Sequence, residues 1–241
     1  SDFGIIGIGR IGTSMARNMS SNGIIVSLFD KSHNSLDNLK NDYPELDSSL
    51  VFDDINKFIS SISKPRKVLI LVPSGPALDE VISLLIQHLD SNDILIDGGN
   101  TNPNVSFENH QTIKSKNLLY LGMGVSGGVK GVLEGPSIMI GGDTNAFDQV
   151  KNIFSQITSK TINGSKSFEF FGDSNQGHFV KMIHNGIEYV EMQLISSIYY
   201  LMINSKKYSY EDVAKIFNKW NDIDSVSYTH VRAHETSLHL V

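Results

Sequence analysis

The 241-residue sequence contains no cysteine and no run of lysine or arginine. Without cysteine, the chain cannot use thiol catalysis, disulfides or cysteine-ligated metal sites. The net charge of −6 is spread along the sequence and gives no electrostatic footprint for nucleic acid or an anionic membrane surface. We therefore expect neither nucleic acid nor a membrane as a partner.

Targeting and membrane-spanning signals are also missing from the sequence. The N-terminus, SDFGIIGIGRIG, lacks a basic segment followed by an apolar one, so no signal peptide is expected. The stretch 176–203 is long enough to span a bilayer, but Lys181, His184, Glu188 and Glu191 make it a poor candidate. We expect a soluble, cytoplasmic protein.

Apolar segments alternate with helical patterns over about the first 170 residues. This alternation is typical of a doubly wound α/β domain of Rossmann type with a mostly parallel sheet. From about residue 174 the pattern is helical. We interpret 1–173 as a dinucleotide-binding domain and 174–225 as the beginning of an all-helical domain. Strands are predicted at 3–8, 24–29, 67–72, 94–97, 118–125 and 137–140, and helices at 11–20, 54–62, 76–89, 103–115, 145–157, 176–203 and 210–219.

A glycine-rich loop follows the first predicted strand. Gly7, Gly9 and Gly12 have G-x-G-x-x-G spacing between a strand and a helix. In this context glycine permits a tight turn and close approach of the backbone to a pyrophosphate, which the helix N-terminus faces. Asp30, near the end of the second strand, can accept hydrogen bonds from an adenosine ribose and so favours NAD, whereas Lys31 could attract the 2′-phosphate of NADP. The two residues give opposite indications.

Three further loops of small residues follow strands of the same predicted sheet. They read PSGP after Val72, GGNT after Asp97 and SGG after Val125. Ligands of such sheets bind beyond the carboxyl ends of the strands, so these loops should meet at the cofactor edge. Asn100 and Ser126 add side chains that form hydrogen bonds. Together with the nucleotide site, the loops predict the rim of an active site.

The predicted long helix carries a polar stripe within the segment KMIHNGIEYVE. Lys181, His184, Asn185 and Glu188 lie at i, i+3, i+4 and i+7, within an arc of about 100°. One interpretation is a solvated face with a contact from His184 to Glu188 at i+4. The other, which we favour, is a catalytic face, because the apolar residues on the other faces are expected to surround the stripe with protein.

Three motifs make the chain resemble the 6-phosphogluconate dehydrogenase family over about residues 2–225. They are IDGGNT at 96–101, GVSGGVKGVLEGPSIMIGG at 124–142 and GHFVKMIHNGIEYVEMQLI at 177–195. The resemblance implies decarboxylating oxidation of 6-phosphogluconate to ribulose 5-phosphate and CO2, in gluconate utilization and the pentose phosphate pathway. It also implies that Lys181 takes the 3-hydroxyl proton while hydride passes from C3 to the nicotinamide, and that Glu188 then protonates C1 of the enediol. In the family the full-length enzyme is a homodimer.

The resemblance assigns two sets of residues to the site, and no metal. Those expected to contact the sugar acid are Asn100, Ser126, Gly127, Gly128, His184, Asn185 and Tyr189, with Tyr189 near the phosphate of the sugar acid. Those expected to contact the cofactor are Gly7, Gly9, Arg10, Ile11, Gly12, Asp30, Lys31, Ser32, Val72 and Asn100.

Two departures from the family bear on the choice of cofactor. The usual Asn-Arg-Thr after the second strand is Asp30, Lys31 and Ser32 here, and the usual lysine of the VKAG loop is Pro73. Both changes weaken a site for a 2′-phosphate. NADP is the family expectation, and NAD is the alternative that Asp30 and Pro73 support.

The resemblance ends near residue 225. The following run, VSYTHVRAHET, resembles the translation of sequencing-adapter DNA, so 226–241 are expected to be a non-natural tail. Its His230, His234 and His239 match no spacing typical of metal ligands. The helical domain of the family would then be truncated, and we expect impaired turnover.

Two other functions remain open. Another β-hydroxyacid dehydrogenase of the same superfamily would share the glycine loop, SGG and a catalytic lysine, but it would not need Glu188 and Tyr189. The second alternative is a non-catalytic nucleotide-binding fragment, which substrate-dependent hydride transfer would distinguish from both enzymes.

Overall fold

The protein is described from a computed structural model, which covers residues 1–47, 50–161, 163–173 and 175–224. The predicted non-natural tail at 226–241 lies outside these residues. The chain forms two compact units that divide between Met182 and Ile183. The domain boundary predicted after residue 173 stays a prediction.

The described part of the first unit contains eight strands and seven helices, together with the beginning of an eighth helix. The strands are β1 (Phe3–Ile6), β2 (Val26–Phe29), β3 (Val51–Phe52), β4 (Lys67–Ile70), β5 (Ile94–Asp97), β6 (Leu119–Ser126), β7 (Ser137–Gly142) and β8 (Phe168–Phe170). The helices are α1 (Arg10–Ser21), α2 (His33–Asp42), α3 (Ile55–Ser60), α4 (Pro76–Ile86), α5 (Pro103–Lys114), α6 (Gly128–Glu134) and α7 (Thr144–Ile157). The division between the units falls inside α8 (Gln176–Asn204), and α9 (Tyr210–Asp224) belongs to the second unit.

The strands form one sheet in the order β3-β2-β1-β4-β5-β6-β7-β8. Strands β1 to β6 are parallel, whereas β7 is antiparallel to β6 and β8 is parallel to β7. Only ten residues separate β6 from β7, and a crossover to a parallel strand needs about a dozen or more. The short connection therefore returns the chain in the opposite direction.

Both faces of the sheet are covered, as in doubly wound folds. Alternate side chains enter different cores: Phe3 and Ile5 of β1 belong to one apolar cluster, and Ile6 belongs to the other. The first cluster also includes Met15 of α1, and the second includes Leu85 of α4. The predicted Rossmann-type fold class is confirmed.

The structure adds four elements to those predicted from the sequence: α2, β3, α6 and β8. It also shortens some predicted elements. The first strand, for example, ends at Ile6, because Gly7 has a φ of +93° and turns the chain toward α1. Among the described residues, no helix is long and apolar enough to cross a membrane.

Candidate active site

The carboxyl ends of the parallel strands β1, β2, β4, β5 and β6 lie along one edge of the sheet. Ligands of open α/β sheets bind at this edge. The loops after these strands hold most of the predicted site residues: 7–12, 30–32, 72–75, 97–101 and 126–128.

The three glycines of the first loop have different surroundings. A Cβ atom on Gly7 would strike the carbonyl oxygen of Leu71, and one on Gly12 would strike the carbonyl oxygen of Gly7. A Cβ atom on Gly9 would meet no atom within 4 Å. Gly7 and Gly12 are therefore required by packing, whereas Gly9 faces open space at the N-terminus of α1. This space fits the close approach of a phosphate to backbone N–H groups.

Asp30 is half-buried beside the glycine loop and braces it. Its Oδ2 accepts a hydrogen bond of 2.8 Å from the Ile8 N–H, and its Oδ1 accepts one of 2.8 Å from the Ser32 N–H. Each carboxylate oxygen keeps a second lone pair, so both can still accept from a ribose hydroxyl. The carboxylate thus has a structural role in addition to its predicted ligand role.

Lys31 and Ser32 follow Asp30 and have partners within the protein. Lys31 Nζ forms an ion pair with Glu80 Oε1 of α4. Ser32 is the N-cap of α2, where its Oγ accepts a hydrogen bond of 3.3 Å from the Ser35 N–H. To bind a 2′-phosphate, Lys31 would therefore have to break its ion pair with Glu80.

The loops after β4 and β5 pack against each other and against the glycine loop. If Gly99 carried a Cβ atom, this atom would lie 3.2 Å from the Val72 carbonyl oxygen. A Cβ atom on Gly7 would lie 3.0 Å from a methyl group of Val72. The Gly99 N–H donates a 3.0 Å hydrogen bond to Oδ1 of buried Asp97, while Asn100 is exposed at the edge. The hydrogen bond from Gly99 to Asp97 therefore fixes the loop that carries Asn100.

The predicted SGG loop is a tight passage from strand to helix. Ser126 is the last residue of β6, and α6 begins at Gly128. Gly127 has a φ of +134° and Gly128 one of +59°, conformations that other residues rarely adopt. The VKG segment after the glycines, for which the sequence predicted no helix, belongs to α6, and this helix starts at the cofactor edge.

The beginning of α8 packs on β6 and β7 through glycines, an arrangement that we call the glycine crossing (Gly122, Gly124, Gly141 and Gly177). A Cβ atom on Gly177 would strike the backbone of Gly122 and Gly141, and one on Gly124 would strike the side chain of Lys181. Lys181 is consequently only 8% exposed. The crossing holds the predicted catalytic lysine over β6, two residues before Ser126.

A buried network lies beside the glycine crossing and consists of Asp97, Ser106, Tyr120 and His178. His178 Nδ1 is 2.8 Å from Ser106 Oγ, which is 2.9 Å from the Tyr120 hydroxyl. Tyr120 donates a 3.5 Å hydrogen bond to Asp97 Oδ2, and His178 Nε2 lies 3.9 Å from the same oxygen. The network thus connects the first turn of α8 to the carboxylate that holds the Gly99 N–H.

Burial controls protonation in this network. Desolvation lowers the pKa of His178 below its ordinary value of 6.5, although the charge of Asp97 acts in the opposite direction. Desolvation and the same carboxylate raise the pKa of Tyr120 well above its ordinary value. The tyrosine therefore remains a hydrogen-bond donor, and the neutral histidine is favoured.

The rest of the polar stripe belongs to the second unit and is less buried than predicted. His184, Asn185 and Glu188 are half-buried, and Tyr189 is 70% exposed. His184 Nδ1 lies 3.3 Å from Asn185 Oδ1 and 3.6 Å from Glu188 Oε2, so the contact at i+4 is present. The prediction that apolar neighbours surround the stripe with protein is wrong for this chain. These neighbours are exposed, and they include Met182, Ile183, Ile187, Val190, Leu194 and Ile198.

The sequence interpretation missed the buried network. Two signals were available: Asp97 is a carboxylate at the end of an otherwise apolar strand, and His178 lies three residues before Lys181 in an apolar helix. Ser106 and Tyr120 carried no comparable signal, because only the packing of α5 on β6 brings them together. Among the described residues, no group of three or more histidine, aspartate and glutamate side chains could hold a metal ion.

Family models match most of the sequence. A model described as the NAD binding domain of 6-phosphogluconate dehydrogenase matches residues 2–165. A second, described as the C-terminal domain of 6-phosphogluconate dehydrogenase, matches residues 177–231.

Curated relatives carry the same description. The chain is 37% identical over 226 residues to the decarboxylating 6-phosphogluconate dehydrogenase of Staphylococcus epidermidis. It is 38% identical over 232 residues to that of Staphylococcus aureus. Each match covers 94% of this chain and 48% of the relative, so the chain spans about half the length of the curated relatives that it matches.

Two solved structures show the shared fold. The chain matches the 6-phosphogluconate dehydrogenase of Plasmodium falciparum with a TM-score of 0.85 and 36% identity, over 92% of this chain and 48% of that one. That enzyme is described in its apo form, with NADP+ and with 6-phosphogluconate. The 3-hydroxyisobutyrate dehydrogenase of Mycobacterium tuberculosis matches with a TM-score of 0.74 and 18% identity, over 91% of this chain and 70% of that one, and this likeness concerns the fold alone.

Proposed function

We propose, because this chain belongs to the 6-phosphogluconate dehydrogenase family, that it contributes the cofactor site and the catalytic lysine for the decarboxylating oxidation of 6-phosphogluconate to ribulose 5-phosphate and CO2. One observation supports this proposal above the others. Lys181 is buried against Gly124 of β6, close to the turn at Ser126 on the cofactor edge. Burial of a lysine is costly and is typical of a functional residue.

Lys181 acts in this proposal as a general base. Its amine accepts the proton of the substrate 3-hydroxyl as the hydride leaves C3, and a 3-keto acid forms. As the C1 carboxylate leaves as CO2, protonated Lys181 returns its proton to the C3 oxygen and an enediol forms. Glu188 then protonates the new terminal carbon while Lys181 takes the hydroxyl proton back. The ion-pair distance of 3.6 Å between Glu188 and His184 supports a role for His184 in orienting that carboxyl group.

The glycine loop fits a dinucleotide cofactor. The open space at Gly9 and the N-terminus of α1, whose first turn reads Arg10, Ile11, Gly12 and Thr13, would hold the pyrophosphate. When bound, the cofactor supplies the hydride acceptor. The remaining contacts that we propose are made by Gly7, Asp30, Lys31, Ser32, Val72 and Asn100. The family expectation is NADP, whereas Asp30 and Pro73 support NAD.

We propose that seven residues contact the sugar acid. Asn100, Ser126, Gly127 and Gly128 would contact it from the loops, and His184, Asn185 and Tyr189 from the helix. In a longer protein or a homodimer, the exposed apolar side chains of α8 would be covered, since a continuous exposed apolar surface is typical of an interface. The predicted impairment of turnover in this chain stays a prediction.

A different β-hydroxyacid dehydrogenase activity is the first alternative. It rests on the likeness of fold to 3-hydroxyisobutyrate dehydrogenase. Glu188 and Tyr189 favour the first proposal over this one. An acid that is oxidised without decarboxylation does not need Glu188 as a proton donor, and an acid without a phosphate does not need Tyr189. A nucleotide-binding fragment without catalysis is the second alternative.

The test is a titration of the purified chain with NAD and with NADP, with and without 6-phosphogluconate, while the absorbance of reduced nicotinamide is recorded. We expect cofactor binding and slow reduction that requires 6-phosphogluconate. Lys181→Ala should abolish the reduction and leave cofactor binding unchanged. The matched control is Lys116→Ala, at an exposed lysine in the turn between α5 and β6 on the opposite edge of the sheet.

Each outcome selects one of the functions. Reduction that persists in Lys181→Ala would remove this residue from the chemistry. Reduction with 3-hydroxyisobutyrate but not with 6-phosphogluconate would support the first alternative. Binding without reduction by either acid would support the nucleotide-binding fragment.

A further inference from the structure

An ion pair between Lys31 and Glu80 lies at the end of the cofactor edge next to Asp30. Lys31 Nζ, just after β2, contacts Glu80 Oε1 in the first half of α4. Both side chains are exposed, at 51% and 67% respectively. The contact lies at the carboxyl end of β2, where the ribose of a dinucleotide is bound in this type of fold.

The position of Lys31 is fixed by its neighbours. Asp30 accepts hydrogen bonds from Ile8 and Ser32, and Ser32 caps α2, so the backbone on both sides of Lys31 is held. From this fixed backbone, the lysine side chain reaches toward α4. Its ammonium group is thereby neutralised by a carboxylate that belongs to a different element.

Neither His33 nor Pro73 adds a permanent cation at this edge of the sheet. His33, in the first turn of α2, lies 3.8 Å from Asp53, which follows β3. Pro73, after β4, carries no charge. Among the residues named here, the carboxylates of Asp30, Asp53 and Glu80 outnumber the single lysine, so an additional phosphate would meet more negative than positive charge from them.

We infer that Glu80 is a specificity-determining residue that favours NAD over NADP by holding Lys31 in an ion pair. This inference rests on the proposed binding of a nicotinamide dinucleotide at α1. To bind a 2′-phosphate, Lys31 would have to leave Glu80, and the carboxylate would remain beside the phosphate. NAD has a ribose hydroxyl at this position and requires neither change.

The experiment compares Glu80→Gln with wild type in the full chain. Dissociation constants for NAD and NADP are measured by calorimetric titration at low ionic strength, where exposed charges are least screened. Glu80→Gln should bind NADP about three- to tenfold more tightly and bind NAD within about twofold of wild type. Exposed ion pairs contribute little to stability, so the variant should fold like wild type.

Two further variants separate the ion pair from a general effect of charge. Asp79→Asn removes the same charge from the neighbouring exposed position of α4 and should leave the ratio of the two constants within about twofold of wild type. Lys31→Met should remove the gain in NADP affinity that Glu80→Gln gives, because the released cation is then missing. This non-additivity is the signature of a pair.

The outcomes distinguish this inference from the proposed function. An unchanged ratio in Glu80→Gln, or an equal change in Asp79→Asn, would overturn the role of Glu80 while cofactor binding stands. If the folded wild-type chain binds neither nucleotide, the proposed function and this inference both fail.

Discussion

The two ends of the cofactor edge differ in how far their charged side chains are exposed to solvent. At the end formed by 30–32 and Glu80, which we call the adenosine end, the carboxylate of Asp30 is half-buried and the Lys31 to Glu80 pair is exposed. At the other end, formed by the glycine crossing and the buried network and called the lysine end, Asp97, His178 and Lys181 are at most 8% exposed. Solvent therefore screens the charges at the adenosine end but not those at the lysine end.

This difference determines what each end can tolerate. Charges in water can be exchanged at little cost in stability, because solvent replaces the lost partner. Buried polar groups lose several hydrogen bonds at once when one member is removed, and water cannot replace them. We therefore expect substitutions at the adenosine end to alter ligand choice and substitutions at the lysine end to alter folding.

The largest effect is expected at the glycine crossing. In Gly177→Ala, the new Cβ atom would strike the Gly122 carbonyl oxygen and would lie 2.7 Å from Gly141 N, and both are backbone atoms that cannot rotate away. We expect a loss of about 3 kcal/mol in the free energy of unfolding, since overpacking against backbone forces α8 off the sheet. Urea unfolding followed by circular dichroism measures it.

The matched control is Gly186→Ala in the same helix, where an added Cβ atom would meet no atom within 4 Å. Alanine has the higher helix propensity, so this variant should be more stable by about 0.5–1 kcal/mol. A similar loss in both variants would show that the crossing is not a tight contact.

The second effect concerns the pH dependence of stability at the lysine end. The buried His178 has a lowered pKa, so the unfolded chain takes up a proton below 6.5 before the folded chain does. The stability that neutral His178 contributes is complete above pH 6.5 and is lost as the pH falls toward the lower folded value. His178→Gln should lower the free energy of unfolding by about 2 kcal/mol at pH 8, because the hydrogen bond between His178 and Ser106 is lost. Between pH 6.5 and 5, the free energy of unfolding of this variant should decrease less than that of wild type.

Urea unfolding at a series of pH values gives this slope. The control is His33→Gln, at a histidine whose side chain is 78% exposed, and it should keep the wild-type slope. An unchanged slope in His178→Gln, or a smaller one in His33→Gln, would show that the buried network is not the source of the acid sensitivity.

The two ends also differ in how far the sequence predicted them. At the adenosine end the order of strand, glycine loop and helix was predicted, because these elements and Asp30 follow one another within a short segment with a known spacing. The partner of Lys31 was not predicted, since Glu80 is 49 residues away and α4 had to be placed first. At the lysine end the polar stripe was visible as a helical period, whereas the glycine crossing depends on which glycines of β6 and β7 face α8.

The missed elements have local reasons. Strand β3 has two half-buried residues, too few to show an alternation. Helix α2 reads HNSLDNLKND, in which Leu36 and Leu39 are the only buried apolar side chains among those described. The expected burial of the stripe failed because apolar periodicity indicates a surface that can be covered, and in the described residues beyond Lys181 this surface is exposed.

The smallest effect is expected at the adenosine end, in Asp30→Asn. The amide oxygen can keep one of the bonds from Ile8 and Ser32, but the amide nitrogen faces an N–H donor, so we expect a loss of about 1 kcal/mol in stability. Removal of the charge should strengthen NADP relative to NAD by about threefold. Calorimetric titration with both nucleotides measures this ratio.

Asp2→Asn is the matched control for Asp30→Asn, because Asp2 Oδ2 also accepts a backbone hydrogen bond, of 3.0 Å from the Ile25 N–H, but at the opposite edge of the sheet. It should lose a similar amount of stability and keep the ratio of the two affinities. If Asp30→Asn also keeps the ratio, Asp30 is a brace of the glycine loop and not a ligand of the ribose. The adenosine end would then select its cofactor through the Lys31 to Glu80 pair alone, and charge at this end would act on ligand choice only where it is exposed.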